Sequence, residues 1–135
     1  MNDGGAAGPG YLLDASALLA LIFAEQGADR IEEIWNDTSI SAINLSEAVA
    51  KMGDRNLSPE RIDLILRLVD GTVIIPFDRP MAIAAGRLRE ATKPFGLSLA
   101  DRGCLATAQA TGRIAVTADR AWRELDLGIA IEVIR

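Results

Sequence analysis

The sequence predicts an α/β fold: a mostly parallel sheet of about five strands with helices on both faces. Three observations predict it. Short apolar or β-branched runs alternate with longer stretches of helical period along the 135 residues. Glycine, proline and capping residues fall at the joints between them. Strands that alternate with helices need crossover connections, which produce parallel sheets buried on both sides.

Taken in order, Tyr11 to Leu13 reads as a short strand ended by Asp14, followed by a helix from about Ala15 to Phe23. Gly27 breaks the chain, and Ala28 to Trp35 returns as a helix with Ile31, Ile34 and Trp35 on one face. Thr38 to Ile43 is β-branched and strand-like. Asn44 then opens a helix toward Met52, with Gly53 as its stop. Ser58 is a natural N-cap with Pro59 at the first helical position and Gly71 beyond the end. The apolar positions of that helix, Ile62, Ile65, Leu66 and Val69, share one face. Val73 to Ile75 reads as a buried strand closed by Pro76. Asp78 caps a helix with the stripe Met81, Ala84, Ala85 and Leu88, and Pro94 and Gly96 end it in a loop. Ser98 opens an alanine-rich helix to Thr111, stopped by Gly112. Ile114 to Val116 is a strand, Asp119 starts a short helix through Trp122, and Ile129 to Ile134 is the last strand.

Half of the residues are hydrophobic and 24% are charged, an ordinary globular composition. The length predicts one domain over residues 11–135, with the Gly- and Ala-rich residues 1–10 a loose arm or expression remnant. The single cysteine, Cys104, rules out an internal disulfide framework and suits a reducing cytoplasm. Beside Asp101 in an alanine-rich helix, it reads as a small core residue rather than a nucleophile. Trp35 and Phe23 read as packing residues, in the core or under a partner. The apolar run from Ala15 to Ala24 is too short to span a bilayer, and no cleavage site follows it, so neither a membrane span nor a signal peptide is expected. Gly4 to Gly10 lacks the Gly-Lys-Ser/Thr ending of a phosphate loop.

The chain has no histidine, which excludes a Ser-His-Asp triad and a histidine-pair ribonuclease. A structural zinc site is excluded with it. Carboxylates are plentiful instead: 19 Asp and Glu against 14 Lys and Arg, for a net charge of −5. Four of them, Asp14, Glu47, Asp101 and Asp119, are expected in the first turns where strands hand over to helices. In parallel α/β sheets, ligand sites collect at the carboxyl ends of strands. Two readings of these acids stand side by side. Asn44-Leu45-Ser46-Glu47 and Ser98-Leu99-Ala100-Asp101 both resemble capping boxes, and Asp14 and Asp119 can each cap a helix. Alternatively the four converge. Clustered carboxylates raise each other's pKa, and a hard cation such as Mg²⁺ or Mn²⁺ removes that penalty. A cation so held can activate water and clamp a phosphodiester. Ser16 and Thr117 are near enough in sequence to orient a carboxylate or a water, or simply to cap.

The segments Leu12 to Leu18, Asn44 to Glu47, Leu97 to Arg102 and Val116 to Trp122 resemble, in order and spacing, the four signature blocks of VapC-type PIN domains. The resemblance runs from about Tyr11 to Arg135. It implies a PIN-like parallel sheet and an Mg²⁺- or Mn²⁺-dependent endoribonuclease acting on a structured RNA such as a transfer or ribosomal RNA. It makes Asp14, Glu47, Asp101 and Asp119 the catalytic, metal-binding quartet, with Ser16 or Thr117 in support. It also implies a toxin that is a cytoplasmic homodimer, inhibited by a VapB-type antitoxin.

A pI near 4.7 sits awkwardly with an RNA substrate, because proteins that grip phosphates usually show basic faces. Arg87, Arg89, Arg102, Arg120, Arg123 and Lys93 could form a local basic rim, with Arg102 and Arg120 the candidates for substrate contact, or be ordinary solvated helix faces. Other readings compete. A phosphoacceptor domain wants a lysine near the last strand, where neither Lys51 nor Lys93 lies. An aspartate-nucleophile phosphatase wants a second acid where Ser16 stands. A non-catalytic α/β binding protein would use the acids only as caps.

Overall fold

A computed structural model describes residues 10–135. Its strands are Tyr11–Leu13 (β1), Thr38–Ser41 (β2), Val73–Ile75 (β3), Ile114–Thr117 (β4) and Ile131–Val133 (β5). They form one five-stranded sheet in the order β3-β2-β1-β4-β5, and each pairing is parallel. The helices among the described residues are Ala15–Ile22 (α1), Ala28–Ile34 (α2), Ala42–Asp54 (α3), Pro59–Leu68 (α4), Arg79–Arg87 (α5), Arg89–Thr92 (α6) and Leu99–Thr111 (α7). Short 3₁₀ turns lie at Trp35–Asp37, Lys93–Phe95 and Arg120–Glu124. None of the helices is long and apolar enough to cross a membrane.

Side chains of a strand alternate between faces, so neighbouring residues feed different cores. Leu13, Ile40 and Val116 join Leu18, Ile31, Ala48 and Met52 on the side covered by α1, α2 and α3. Leu12 and Ala115 face the other way, onto Cys104, Leu105 and Ala108 of α7 and onto Trp122. Both central strands are therefore covered on both faces, as their continuous apolar runs require. Cys104 is fully buried and free, a small core residue as expected. Trp35 and Phe23 are half-buried and pack on the edge of the first core.

Three expectations need correction. The strand expected over Thr38 to Ile43 stops at Ser41, and α3 begins at Ala42 rather than after Asn44. Gly53 does not stop that helix, which runs through it to Asp54. Val73 to Ile75 is a strand but not a buried one. It lies at the sheet's edge, with Val73 60% and Ile74 43% exposed. The assignment of residues 1–10 to a loose arm falls outside the described residues except at Gly10, just before β1, whose carbonyl accepts from Ile114 N at 3.0 Å.

The segment leading to α7 has the most local definition. Ser98 Oγ accepts from Asp101 N while the Asp101 carboxylate accepts from Ser98 N, a reciprocal capping box. Gly112 ends the helix at φ +67°, a left-handed conformation that glycine adopts without steric cost.

Candidate active site

The site begins with the pairing of the two central strands. Leu13 stands opposite Val116, and Asp14 N donates to Val116 O at 3.0 Å, so Asp14 and Thr117 leave the sheet side by side. Asp14 also caps α1, its Oδ1 accepting from Ala17 N at 2.8 Å and from Ser16 Oγ at 2.7 Å. Its Oδ2 accepts from Thr117 Oγ1 at 2.5 Å. Both hydroxyls are held in turn by backbone: Ala118 N donates to Ser16 Oγ at 2.9 Å and Asp119 N to Thr117 Oγ1 at 3.0 Å. Thr117 is fully buried and Asp14 nearly so. Ser16 and Thr117 thus orient the Asp14 carboxylate, and a local turn alone would not produce that arrangement.

A second pair of acids comes from α3 and α7. Because α3 starts at Ala42, Glu47 is its sixth residue, not the third that a capping box requires. Asn44 is no cap either. It is buried, and its Nδ2 donates to Ala100 O at 3.1 Å, in the first turn of α7. That bond ties the α3 turn preceding Glu47 to the backbone next to Asp101. Ser41, the residue that does precede the helix, makes no side-chain cap bond, and its Oγ is buried without a partner, as is Asn44 Oδ1.

Asp101 lies close enough to act on both Asp14 and Glu47. Burial pushes the Asp14 carboxyl up from its ordinary 3.8 to about 6, against the lowering effect of its bonds from Thr117, Ser16 and Ala17, and the Asp101 charge adds to the rise. Glu47 is also raised, first by desolvation and then by Asp101, with Lys51 and Asn44 opposing. Burial raises the Cys104 thiol, and the charges of Asp14, Asp101 and Glu47 all reach it. Lys51 Nζ lies 3.9 Å from Glu47 Oε2, a half-exposed pair one helical turn apart and therefore weak. Asp119 is set apart. It is exposed, caps the following 3₁₀ turn by accepting from Ala121 N at 2.9 Å, and connects to Asp14 through Thr117.

Among the described residues, no three Asp, Glu, Cys or His side chains close on a common point tightly enough to hold an ion as they stand. Asp14, Asp101 and Asp119 each accept a hydrogen bond, and Glu47 pairs with Lys51. The donor set nonetheless fits a hard divalent cation: it is all oxygen, burial raises Asp14 and Glu47, and the one nearby cation, Lys51, only partly offsets this at Glu47.

Arg102 departs from the expected basic rim. It is turned inward and buried, and its Nη1 donates to Ala85 O at 3.0 Å in the last turn of α5. A cation is favoured there by the negative end of the helix. Arg87, Arg89, Arg120, Arg123 and Lys93 are exposed. Of these, Arg120 borders an acid of the site. With Asp119, Ala118, Glu25, Gln26 and Arg135 it lines an open cavity of about 560 Å³. Sequence reading missed Glu25, Gln26 and Arg135, which have no local mark and come together only through the fold.

Comparison with known proteins adds a family. A PIN domain family model matches residues 11–127. No curated protein matches. Among solved structures, a toxin-antitoxin complex from Klebsiella pneumoniae is similar at 20% identity over 93% of this chain and 98% of that chain, with a TM-score of 0.74. DNA-bound VapBC from Salmonella typhimurium is similar at 21% identity over 93% and 98%, with a TM-score of 0.73. VapBC2 from Rickettsia felis, bound to a promoter DNA fragment, gives 19% identity over 91% and 97% and a TM-score of 0.72. At these identities the likeness is one of fold.

Proposed function

The chain belongs to the PIN domain family, and from that premise we propose that it is a metal-dependent endoribonuclease, the toxin of a VapC-type toxin–antitoxin pair. The observation that carries the reading is the setting of Asp14. A buried carboxylate at the carboxyl end of a central strand is fixed by Ser16 and Thr117 and feels the charge of Asp101, which also acts on Glu47. A purely structural cap has no need of that much uncompensated negative charge.

In this reading Asp14, Glu47, Asp101 and Asp119 would hold Mg²⁺ or Mn²⁺, which when bound activates water and neutralises charge on a phosphodiester. The chain's own contribution is orientation. Ser16 and Thr117 lock both oxygens of Asp14, so the anion presents one geometry to whatever binds above it. Asp101 keeps one oxygen on its cap, and the other is available. Arg120, exposed beside Asp119, offers a cation to a backbone phosphate, which suits a chain whose net charge of −5 gives little general attraction for RNA. That balance favours a selective cut in a structured RNA, such as a transfer or ribosomal RNA, over general degradation.

The partner follows from the same reading. The Salmonella and Rickettsia structures are VapBC complexes; for this chain we place a VapB-type antitoxin over the acidic site, a homodimer as the assembled form and the cytoplasm as its compartment. The test is incubation of the purified chain, free of partner, with total bacterial RNA with and without Mg²⁺ or Mn²⁺, and sequencing of the new ends. Few metal-dependent cuts leaving 5′-phosphates, absent in Asp14→Asn and Asp101→Asn, support the reading. Cuts that survive EDTA and both substitutions overturn it, and so does no cutting by folded protein with metal present.

A further inference from the structure

The amide of Asn44 touches both of the helices that carry Glu47 and Asp101. Its Nδ2 donates to Ala100 O, the carbonyl immediately before Asp101, at 3.1 Å. That acceptor also fixes the amide's orientation, because only the nitrogen end can face a carbonyl oxygen. The same side chain sits one turn before Glu47 on α3, near enough to favour the Glu47 anion slightly. Asn44 has no exposure at all, and its Oδ1 is buried with no donor. A buried amide left half-satisfied is a poor choice for packing alone, since an apolar residue of similar size would avoid the unpaired acceptor.

From this we infer that Asn44 is a positioning residue of the acidic site, tying α3 to α7 so that Glu47 and Asp101 stand at the separation a shared divalent cation requires. The inference rests on the metal-dependent reading of the site. Two like charges on separate helices drift apart unless something fixes the helices near them, and the contact between α3 and α7 here is otherwise apolar or small: Gly103 approaches Ile43, with no further polar bond joining the two helices among the described residues. The Asn44 bond sets the spacing of the backbones that carry Glu47 and Asp101. Asn44 does not need to touch the substrate. Its unpaired Oδ1 can accept a hydrogen bond from a water that enters with the cation, so filling the site also completes the hydrogen bonding of the residue that shaped it.

The test measures cation binding directly. Mn²⁺ is titrated into metal-free protein and the free ion is read by electron paramagnetic resonance for wild type, Asn44→Ala, Asn44→Leu and Asp14→Asn. Leucine fills the volume that alanine vacates, so a folded variant is available even if the cavity in Asn44→Ala proves too costly. The expected result is that the Asn44 variants, folded by circular dichroism, bind Mn²⁺ about ten- to a hundredfold more weakly than wild type, the range seen when a residue supporting metal ligands is removed. A purely structural role would lower the melting temperature and leave the Mn²⁺ Kd of the folded protein unchanged. Wild-type affinity in folded Asn44→Leu, with binding lost in Asp14→Asn, overturns this inference alone. Absence of Mn²⁺ binding by wild type at millimolar concentration overturns it together with the metal-dependent reading.

Discussion

Thr117 Oγ1 donates to Asp14 Oδ2 at 2.5 Å while it accepts from Asp119 N at 3.0 Å, so one buried hydroxyl joins two acids 105 positions apart in the chain. The bond from Thr117 holds down the pKa of a carboxyl that burial has raised. Thr117→Val keeps the shape and removes the donor. The Asp14 carboxyl then rises further, so the acidic limb of the metal-dependent cleavage profile moves to higher pH and activity at pH 7 falls about tenfold, as for other supporting partners of metal ligands. Thr117→Ser keeps the donor and stays near wild type. A pH–rate series for the three proteins decides it; superimposable profiles would deny Thr117 this role.

The buried Asp14 makes the metal-free protein less stable than its fold allows. Desolvation puts its folded-state pKa near 6, above the ordinary 3.8 of an unfolded chain. Between those values the folded state holds the extra proton, so stability falls as pH rises through the window, and above it the cost stays constant. At ~1.4 kcal/mol per unit the cost is on the order of 3 kcal/mol. Asp14→Asn removes the charge and keeps the shape, so without metal it raises the melting temperature by several degrees at pH 7.5 and by little at pH 4. Added Mn²⁺ raises the wild-type midpoint and leaves that of the variant in place. Melting curves at the two pH values check both statements; equal destabilisation by Asp14→Asn at both would mean that the carboxylate is simply a cap.

Two arginines that look alike in sequence separate by burial. Arg102 spends its guanidinium on the Ala85 carbonyl inside the packing of α5 against α7, whereas Arg120 is exposed beside Asp119. Removing a charged, buried hydrogen bond together with its alkyl stem costs about 2–4 kcal/mol. Arg102→Ala therefore lowers the denaturation midpoint and leaves the KM for RNA unchanged. Arg120→Ala does the reverse, raising KM severalfold with stability within about 0.5 kcal/mol of wild type. Urea melts and steady-state kinetics on one preparation of each variant separate the two roles, and a KM effect from Arg102→Ala in fully folded protein would contradict this assignment.

That contrast shows which features the sequence could reveal. Features written over three or four residues were legible: the Ser98 and Asp101 box, Ser58 with Pro59, Asp78 as a cap, and Gly112 as a stop. The start of α3 was not, because Ser41 and Asn44 are both good caps and the β-branched Ile43 extends the strand pattern. Pairing of Ser41 with Ile75 and burial of Asn44 decided the matter, and both depend on distant parts of the chain. Val73 and Ile74 read as buried because they are apolar, but strand order puts them at an edge, and nothing local encodes that order. Among the candidate acids, Asp14, Asp101 and Asp119 cap helices or turns as local pattern suggests, whereas Glu47 lies deeper in α3 than its capping-box pattern implied. The hydroxyl between Asp14 and Asp119 was legible only as nearby in sequence, and the bridge from Asn44 to Ala100 was not legible at all.

Gly103 tests whether the spacing of α3 and α7 matters as much as the individual acids. It lies two residues after Asp101, on the face of α7 that meets the start of α3. A Cβ placed there would come within 2.9 Å of Ile43 Cγ2 and 3.1 Å of Phe77 Cε1. Alanine in a helix interior gains about 0.5–1 kcal/mol over glycine, so an unobstructed site would be stabilised by the change. Here the methyl has to push Ile43 aside, and Ile43 adjoins the Asn44 that ties the helices. Overpacking of this kind costs about 1–3 kcal/mol, which exceeds the propensity gain. Gly103→Ala is therefore expected to lose about 1 kcal/mol in a urea melt and to weaken Mn²⁺ binding, although it alters no acid and no hydrogen bond. Increased stability with unchanged Mn²⁺ affinity would show that Ile43 and Phe77 yield without moving the helices, and that the acids tolerate a looser frame than this one.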